Sequence, residues 1–152
     1  MDRRKFLGLG MGVAAVAMVP ASLSAIDFRA TKKGAFEGPN SHTIDAAMKE
    51  LFGTSATTES NVKLKAPDIA ENGAVVPIQV SSKLAGKTVA VFQDANPEST
   101  VAVFTVPANG IIDYKLRIKM AKTGKVVAVV QDGGTLYSAS KSVKVTAGGC
   151  GG

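Results

Sequence analysis

The order of apolar and polar residues first predicts one short helix in the N-terminal third of the chain. Its apolar residues recur at the spacing of a single helix face: Ile44, Ala47, Met48 and Leu51. The polar run 40–43 offers N-cap residues, and Gly53 follows as a residue that favours the left-handed conformation of a helix end. The pattern therefore predicts an amphipathic helix over 44–52 whose apolar side packs against a sheet.

After residue 53 the spacing of the apolar residues changes from helical to alternating, which is typical of β-strands. Strands are predicted over 62–65, 75–80, 88–92, 100–106, 111–120, 125–131 and 136–145. Turn-forming residues separate them, and the pairs Asn109-Gly110 and Asp132-Gly133 are predicted to form hairpin turns. Segment 26–39 is predicted to be extended, and segment 54–60 to be a polar linker.

Short strands with no helices between them favour an antiparallel sandwich over a parallel α/β sheet. We expect an all-β fold: an immunoglobulin-like antiparallel β-sandwich with a short N-terminal helix and a flexible C-terminal arm. The chain has 152 residues, a size suited to one domain. Even if an N-terminal export signal is removed, the remaining chain is long enough to bury an apolar core, so the fold needs no disulfide for its stability.

The composition excludes several kinds of functional centre. With one cysteine and one histidine, the chain cannot supply a Cys/His zinc site, the ligands of an iron–sulfur cluster or an intramolecular disulfide. No cofactor or metal is expected. The single histidine, His42, lies in the polar run before the helix and is expected to be exposed or capping. The basic series from Lys115 to Lys125 is expected to be a solvated face, although it could attract anions or an acidic partner.

The first 25 residues have the pattern of an export signal. Arg3 and Arg4, followed by Phe6-Leu7, resemble the twin-arginine motif, and the uncharged run 6–19 is too short to span a bilayer as a helix. We therefore expect a signal peptide over 1–25, cleaved after Ser24 or Ala25, and a periplasmic protein that no longer contacts the membrane. That location argues against nucleic acid as a partner, despite the net charge of +6.

The C-terminal tail carries the only thiol. Cys150 lies between Gly148-Gly149 and Gly151-Gly152, so we expect residues 146–152 to form a flexible arm beyond a sandwich domain over 26–145. The arm has no neighbouring base to activate the sulfur, and a glycine tether cannot hold a nucleophile against an oxyanion hole. The pattern therefore indicates that Cys150 is an attachment site that other proteins modify, and that the chain is not itself an enzyme.

Other interpretations of the tail stay open at the level of the residues. An unpaired cysteine in an exported protein can join two copies through an intermolecular disulfide, and the chain would then be a structural β-sandwich domain. A thiol enzyme acting alone would need a base close to Cys150 in the folded protein. An incidental cysteine is the remaining alternative, which the symmetric glycine pairs argue against.

Several parts of the chain together resemble the SoxY family, the sulfur carriers of the periplasmic thiosulfate-oxidising system. The resemblance lies in the Gly-Gly-Cys-Gly-Gly tail, the twin-arginine leader, the helix at 46–53 and the segment 62–78. It implies a non-catalytic carrier that forms a complex with the small β-sandwich protein SoxZ. It also implies that the sulfur of thiosulfate is attached at Cys150.

The resemblance further implies transient partners. The haem cytochrome pair SoxXA would conjugate thiosulfate to Cys150, and the dimanganese hydrolase SoxB would release sulfate and leave a persulfide. A molybdenum and haem sulfane dehydrogenase would oxidise the remaining sulfur. The haem, manganese and molybdenum belong to those partners, since no such group is expected in this chain.

Overall fold

The computed structural model describes residues 27–146. The predicted leader, with Arg3 and Arg4, and the tail from residue 147 onward, with Cys150 and its four glycines, lie outside the described residues. Among the described residues, no helix is long and apolar enough to cross a membrane.

The N-terminal part is a layer of short helices. These are α1 (Phe28–Thr31), two 3₁₀ helices (Lys33–Ala35 and Pro39–Ser41) and α2 (Ile44–Phe52). The prediction that 26–39 is extended was therefore wrong. Asp27 caps α1 by accepting a hydrogen bond from the Ala30 N–H at 3.2 Å. The layer is also held by distant residues, because the Thr100 hydroxyl donates to the Ala35 carbonyl at 2.6 Å.

Helix α2 confirms the predicted helix over 44–52. The Thr43 hydroxyl accepts the Ala46 N–H at 3.2 Å, and Gly53 ends the helix in the left-handed region at φ +80°. Three residues of the predicted apolar stripe are buried: Ala47, Met48 and Leu51. They join Phe92 of the neighbouring sheet in one apolar cluster, so the helix packs on the sheet as expected.

Eight strands follow among the described residues. They are β1 (Val62–Lys65), β2 (Ile69–Ala70), β3 (Val76–Ser82), β4 (Thr88–Gln93), β5 (Thr100–Thr105), β6 (Ile112–Ile118), β7 (Gly124–Asp132) and β8 (Thr135–Val145). Each predicted strand is present, with its ends shifted by at most two residues. Only β2 was not predicted, because two residues are too few to show an alternating pattern.

The strands form two sheets, in the orders β1-β3-β6 and β2-β8-β7-β4-β5. All neighbours are antiparallel except β2, which runs parallel to the last strand, β8. The first strands of the chain thus contribute to both sheets, β1 to the smaller and β2 to the larger. The predicted immunoglobulin-like β-sandwich is confirmed, with one short parallel pair added to it.

The two sheets pack face to face over an apolar core. Its fully buried members include Val76, Val80, Val89, Val91, Val126 and Val130. Strand β4 is buried along its whole length, and β7 is buried from Val126 to Val130, because the helical layer covers the outer side of these strands. Double burial explains why these two segments are continuous apolar runs, whereas β6 alternates between apolar and polar residues.

The two predicted hairpin turns have different outcomes. Gly133 adopts φ +60° in the tight turn between the paired strands β7 and β8, as predicted. Asn109-Gly110 instead connects β5 and β6, which lie in different sheets, so this hairpin prediction was wrong. Asn109 still adopts a left-handed conformation, with φ +61°. Local turn chemistry was therefore visible in the sequence, but the pairing of the flanking strands was not.

Candidate functional site

The last strand holds the chain up to the point where the predicted arm begins. β8 lies between β7 and β2 and therefore has hydrogen-bonding partners on both of its edges. On the β2 side, the Lys144 N–H donates to the Asp68 carbonyl at 2.9 Å and the Thr146 N–H donates to the Ala70 carbonyl at 3.1 Å. The backbone is thus tied to the sheet through Thr146.

The opposite edge of β8 is held at the same level. The Val145 N–H donates to the hydroxyl of Thr123 at 3.0 Å, and Thr123 immediately precedes Gly124, the first residue of β7, which pairs with Val143. Val143 is fully buried and Val145 is half-buried, so the inward side chains also anchor this end of the strand. The body therefore offers a firm base for residues 147–152.

Cys150 is the fourth residue after Thr146. A fully extended chain spans about 3.3–3.6 Å per residue, so the thiol can reach roughly 14 Å from this base. The described residues near the base include no histidine, since the single histidine, His42, lies beside the helical layer.

The surroundings of His42 do not form a catalytic arrangement. The Ser41 hydroxyl is buried and hydrogen-bonds to the carboxylate of Glu98, and His42 Nε2 lies 3.9 Å from the other oxygen of that carboxylate. Glu98 therefore lies between serine and histidine, whereas an activated serine needs the histidine next to its hydroxyl. The His42 side chain is 57% exposed, as predicted.

A basic surface lies close to the base of the arm, on the outer face of the three-stranded sheet. Strand pairing aligns Lys65 with Gln79 and Gln79 with Lys115, and it places Arg117 opposite Pro77 in the adjacent row. These side chains surround a shallow concavity of about 790 Å³. We call it the basic basin, and the residues that line it include Lys65, Pro67, Pro77, Gln79, Lys115 and Arg117.

The series that contains Lys115 and Arg117 was predicted to be a solvated basic face, but its proximity to Lys65 was not predicted. The only local signal was the alternation of apolar and basic residues in two distant strands. Their proximity depends on β1 and β6 both pairing with β3, and this topology cannot be deduced from alternation alone. Within residues 27–146, no group of three or more histidine, cysteine, aspartate or glutamate side chains is arranged to hold a metal ion.

The fold and the base of the arm together define a class of protein: a small immunoglobulin-like sandwich whose last strand is anchored on both edges before it continues into a short thiol-bearing tail. The family described as "Sulfur oxidation protein SoxY" matches residues 48–150, which span most of the sandwich and end at Cys150. The chain belongs to the SoxY family.

Solved structures agree with this membership. The sulfur carrier protein SoxY from Chlorobium limicola f thiosulfatophilum is 42% identical, with a TM-score of 0.62, and the match covers 68% of this chain and 96% of that one. A superoxide reductase (neelaredoxin) from Ignicoccus hospitalis is similar in fold alone, at 17% identity and a TM-score of 0.51; that match covers 68% of this chain and 92% of that one. No match is found among curated proteins.

Proposed function

We propose that this protein is a periplasmic sulfur carrier that binds thiosulfate-derived sulfur covalently through Cys150. Membership of the SoxY family and the likeness to a solved sulfur carrier support a carrier role in sulfur oxidation. The observation that carries the proposal is the hydrogen bonding of β8 through Thr146, four residues before the only thiol of the chain. A firm body and a short glycine-rich segment suit a thiol that must enter the active sites of other proteins.

The proposed chemistry begins with conjugation. The Cys150 thiol and thiosulfate form a sulfur–sulfur bond, which releases one proton and two electrons, and the haem cytochrome pair SoxXA accepts the electrons. Hydrolysis by SoxB then breaks the bond between the sulfane sulfur and the sulfonate group. Water supplies the oxygen, hydrogen sulfate leaves, and Cys150 remains as a persulfide. A sulfane dehydrogenase oxidises the outer sulfur of that persulfide.

In this scheme the chain supplies the thiol and its position, and the partners supply the catalysis. Export by the twin-arginine signal, with Arg3 and Arg4, would deliver the carrier to the periplasm, where these reactions are proposed to occur.

SoxZ is the proposed stable partner. Within the described residues, the outer edges of β5 and β6 pair with no other strand, and they lie on the same side of the sandwich. Phe104 and Tyr114 stack there, with ring centroids 4.9 Å apart, and both are only half-buried. Partly exposed aromatic side chains beside open strand edges are suited to a partner subunit. Co-expression should yield a one-to-one complex, and separate elution of the two chains would contradict it.

Intact mass spectrometry tests the carrier role. Protein isolated from cells that use thiosulfate should carry a reducible increment corresponding to a thiosulfate-derived group or to one additional sulfur, and Cys150→Ser should carry none. An unmodified wild-type chain, or the same increment on Cys150→Ser, would disprove covalent loading at this residue. Non-reducing electrophoresis distinguishes the carrier from the alternative, a structural β-sandwich domain. In that alternative the thiol has a structural role, and a disulfide-linked dimer is expected as the working form.

A further inference from the structure

The basic basin is a strongly charged surface whose charged side chains are not needed to hold the sandwich together. Lys65, Lys115 and Arg117 are all exposed, and within residues 27–146 none of them forms a salt bridge. The acidic residue on the same face, Asp113, accepts a hydrogen bond from Gln79 Nε2 at 2.6 Å in the neighbouring row. The basin thus keeps a net positive charge.

The spacing of these charges fits a macromolecule better than a small anion. Lys65 and Lys115 lie on strands separated by β3, so their backbones are roughly 10 Å apart, twice the usual distance between strands. An extended surface with several carboxylates can pair with all three charges at once, and Pro67 and Pro77, which line the basin, offer it apolar contact.

The location of the basin links it to the arm. Pro67, which lines the basin, immediately precedes Asp68, and the carbonyl of Asp68 accepts the Lys144 N–H at 2.9 Å. The edge of the basin therefore lies beside the last residues of β8. A protein bound in the basin would stand within the roughly 14 Å that Cys150 can reach from Thr146.

We propose that the basic basin is the docking surface for an acidic face of the enzyme that conjugates thiosulfate to Cys150. This inference rests on the proposed carrier function and adds the surface and the charge by which that enzyme recognises the carrier body. Opposite charges speed the encounter of two proteins, and the effect weakens as salt screens the charges.

A charge-neutralised variant tests the proposal. Lys65→Gln, Lys115→Gln and Arg117→Gln are combined, and a matched control carries Lys32→Gln, Lys33→Gln and Lys49→Gln in the helical layer, which removes the same charge. The probe is the SoxXA cytochrome pair of the same organism. At low ionic strength, kcat/KM for conjugation should fall about tenfold for the basin variant and less than about twofold for the control. At about 0.5 M salt the two should be equal.

Binding provides a second measurement that does not depend on conjugation. The same substitutions are introduced into the Cys150→Ser chain, and the affinity for SoxXA is measured directly. Weaker binding of the basin variant alone supports the proposal, and equal binding of both variants overturns it. Failure of the wild-type chain to acquire an adduct would disprove the carrier function, whereas an adduct formed at equal rates by both variants would overturn only the docking surface. A matching melting temperature verifies that each variant is folded.

Discussion

The two sheets of the sandwich differ in what covers them. The five-stranded sheet is covered on one side by the smaller sheet and on the other by the helical layer, so β4 is buried throughout. The three-stranded sheet contributes one face to the core and leaves the other exposed, with lysine and arginine side chains on it. The difference suggests a division of roles: the larger sheet stabilises the fold and anchors the arm, while the outer face of the smaller sheet is available for contact with partners.

Truncation in the doubly covered sheet should have the largest effect on stability. Phe92 on β4 is fully buried between the sheet and the helical layer. Phe92→Ala removes an aromatic ring from a closed site, and the expected loss is about 3–5 kcal/mol of unfolding free energy, measured by urea denaturation.

Leu116→Ala on β6 is the matched truncation in the other sheet. Leu116 is only half-buried, so its loss should be less than half that of Phe92→Ala, on the order of 1–2 kcal/mol. Equal losses in the two sheets would contradict the contrast between them.

The difference between the sheets also decides how much of the fold the sequence predicted. Alternation in β6 and the helical spacing at 44–52 follow from local chemistry. The helix was predicted with its observed ends and β6 to within two residues at each end. The helical layer before residue 42 was not predicted, because distant contacts hold it: the Ser99 N–H donates to the Ser41 carbonyl at 2.7 Å. Local patterns do not record such contacts.

The candidate site also has one part that local sequence predicts and one part that depends on distant contacts. Cys150 was predicted from its glycine neighbours alone, because the chemistry of a tethered thiol is local to the tail, and this stays a prediction since residue 150 lies outside the described residues. The basic basin could not be predicted, since Lys65 and Lys115 meet only through the strand order β1-β3-β6. The burial of β4 and β7 on both faces could not be predicted either, because a continuous apolar run does not reveal what packs on each side of a strand.

The second prediction concerns the close contact between the two sheets at Gly86. A Cβ atom at this position would lie 2.5 Å from Val130 Cγ1 on β7 and 3.3 Å from Ile112 Cδ1 on β6. Both neighbours are buried, so Gly86→Ala should force the sheets to shift and should lower stability by about 1–3 kcal/mol. Thermal melting measures the effect.

Gly134→Ala is the control for this substitution. A Cβ atom at Gly134 would meet no atom within 4 Å, so its melting temperature should stay close to that of the wild type. If Gly86→Ala melted together with Gly134→Ala, the sheets would be able to adjust to the additional methyl group, and the packing between them would be looser than the structure indicates.

The third prediction concerns the base of the arm. Thr123→Val removes the hydroxyl that accepts the Val145 N–H while preserving the shape of the side chain. The expected loss is about 0.5–1 kcal/mol, because the exposed N–H regains a bond to water. Hydrogen exchange should speed up at Val145 and stay unchanged at Val129 in the centre of the sheet. Faster exchange in both places would mean that Thr123 stabilises the whole sheet instead of its end.

The smallest effect on stability is expected where the proposed effect on function is large. Neutralising Lys65, Lys115 and Arg117 together removes exposed charges that form no ion pairs within residues 27–146, so the unfolding free energy should change by less than about 0.5 kcal/mol. The control with Lys32, Lys33 and Lys49 replaced by glutamine loses one exposed ion pair, Lys33 with Glu37, which contributes little to stability, so it should behave alike. The dependence of stability on urea should keep its slope in both variants. If the unfolding free energy of the basin variant alone fell by more than about 1 kcal/mol, these side chains would contribute to the stability of the fold. The outer face would then contribute to stability like the rest of the sandwich, and a slower conjugation would have to be attributed to a damaged fold.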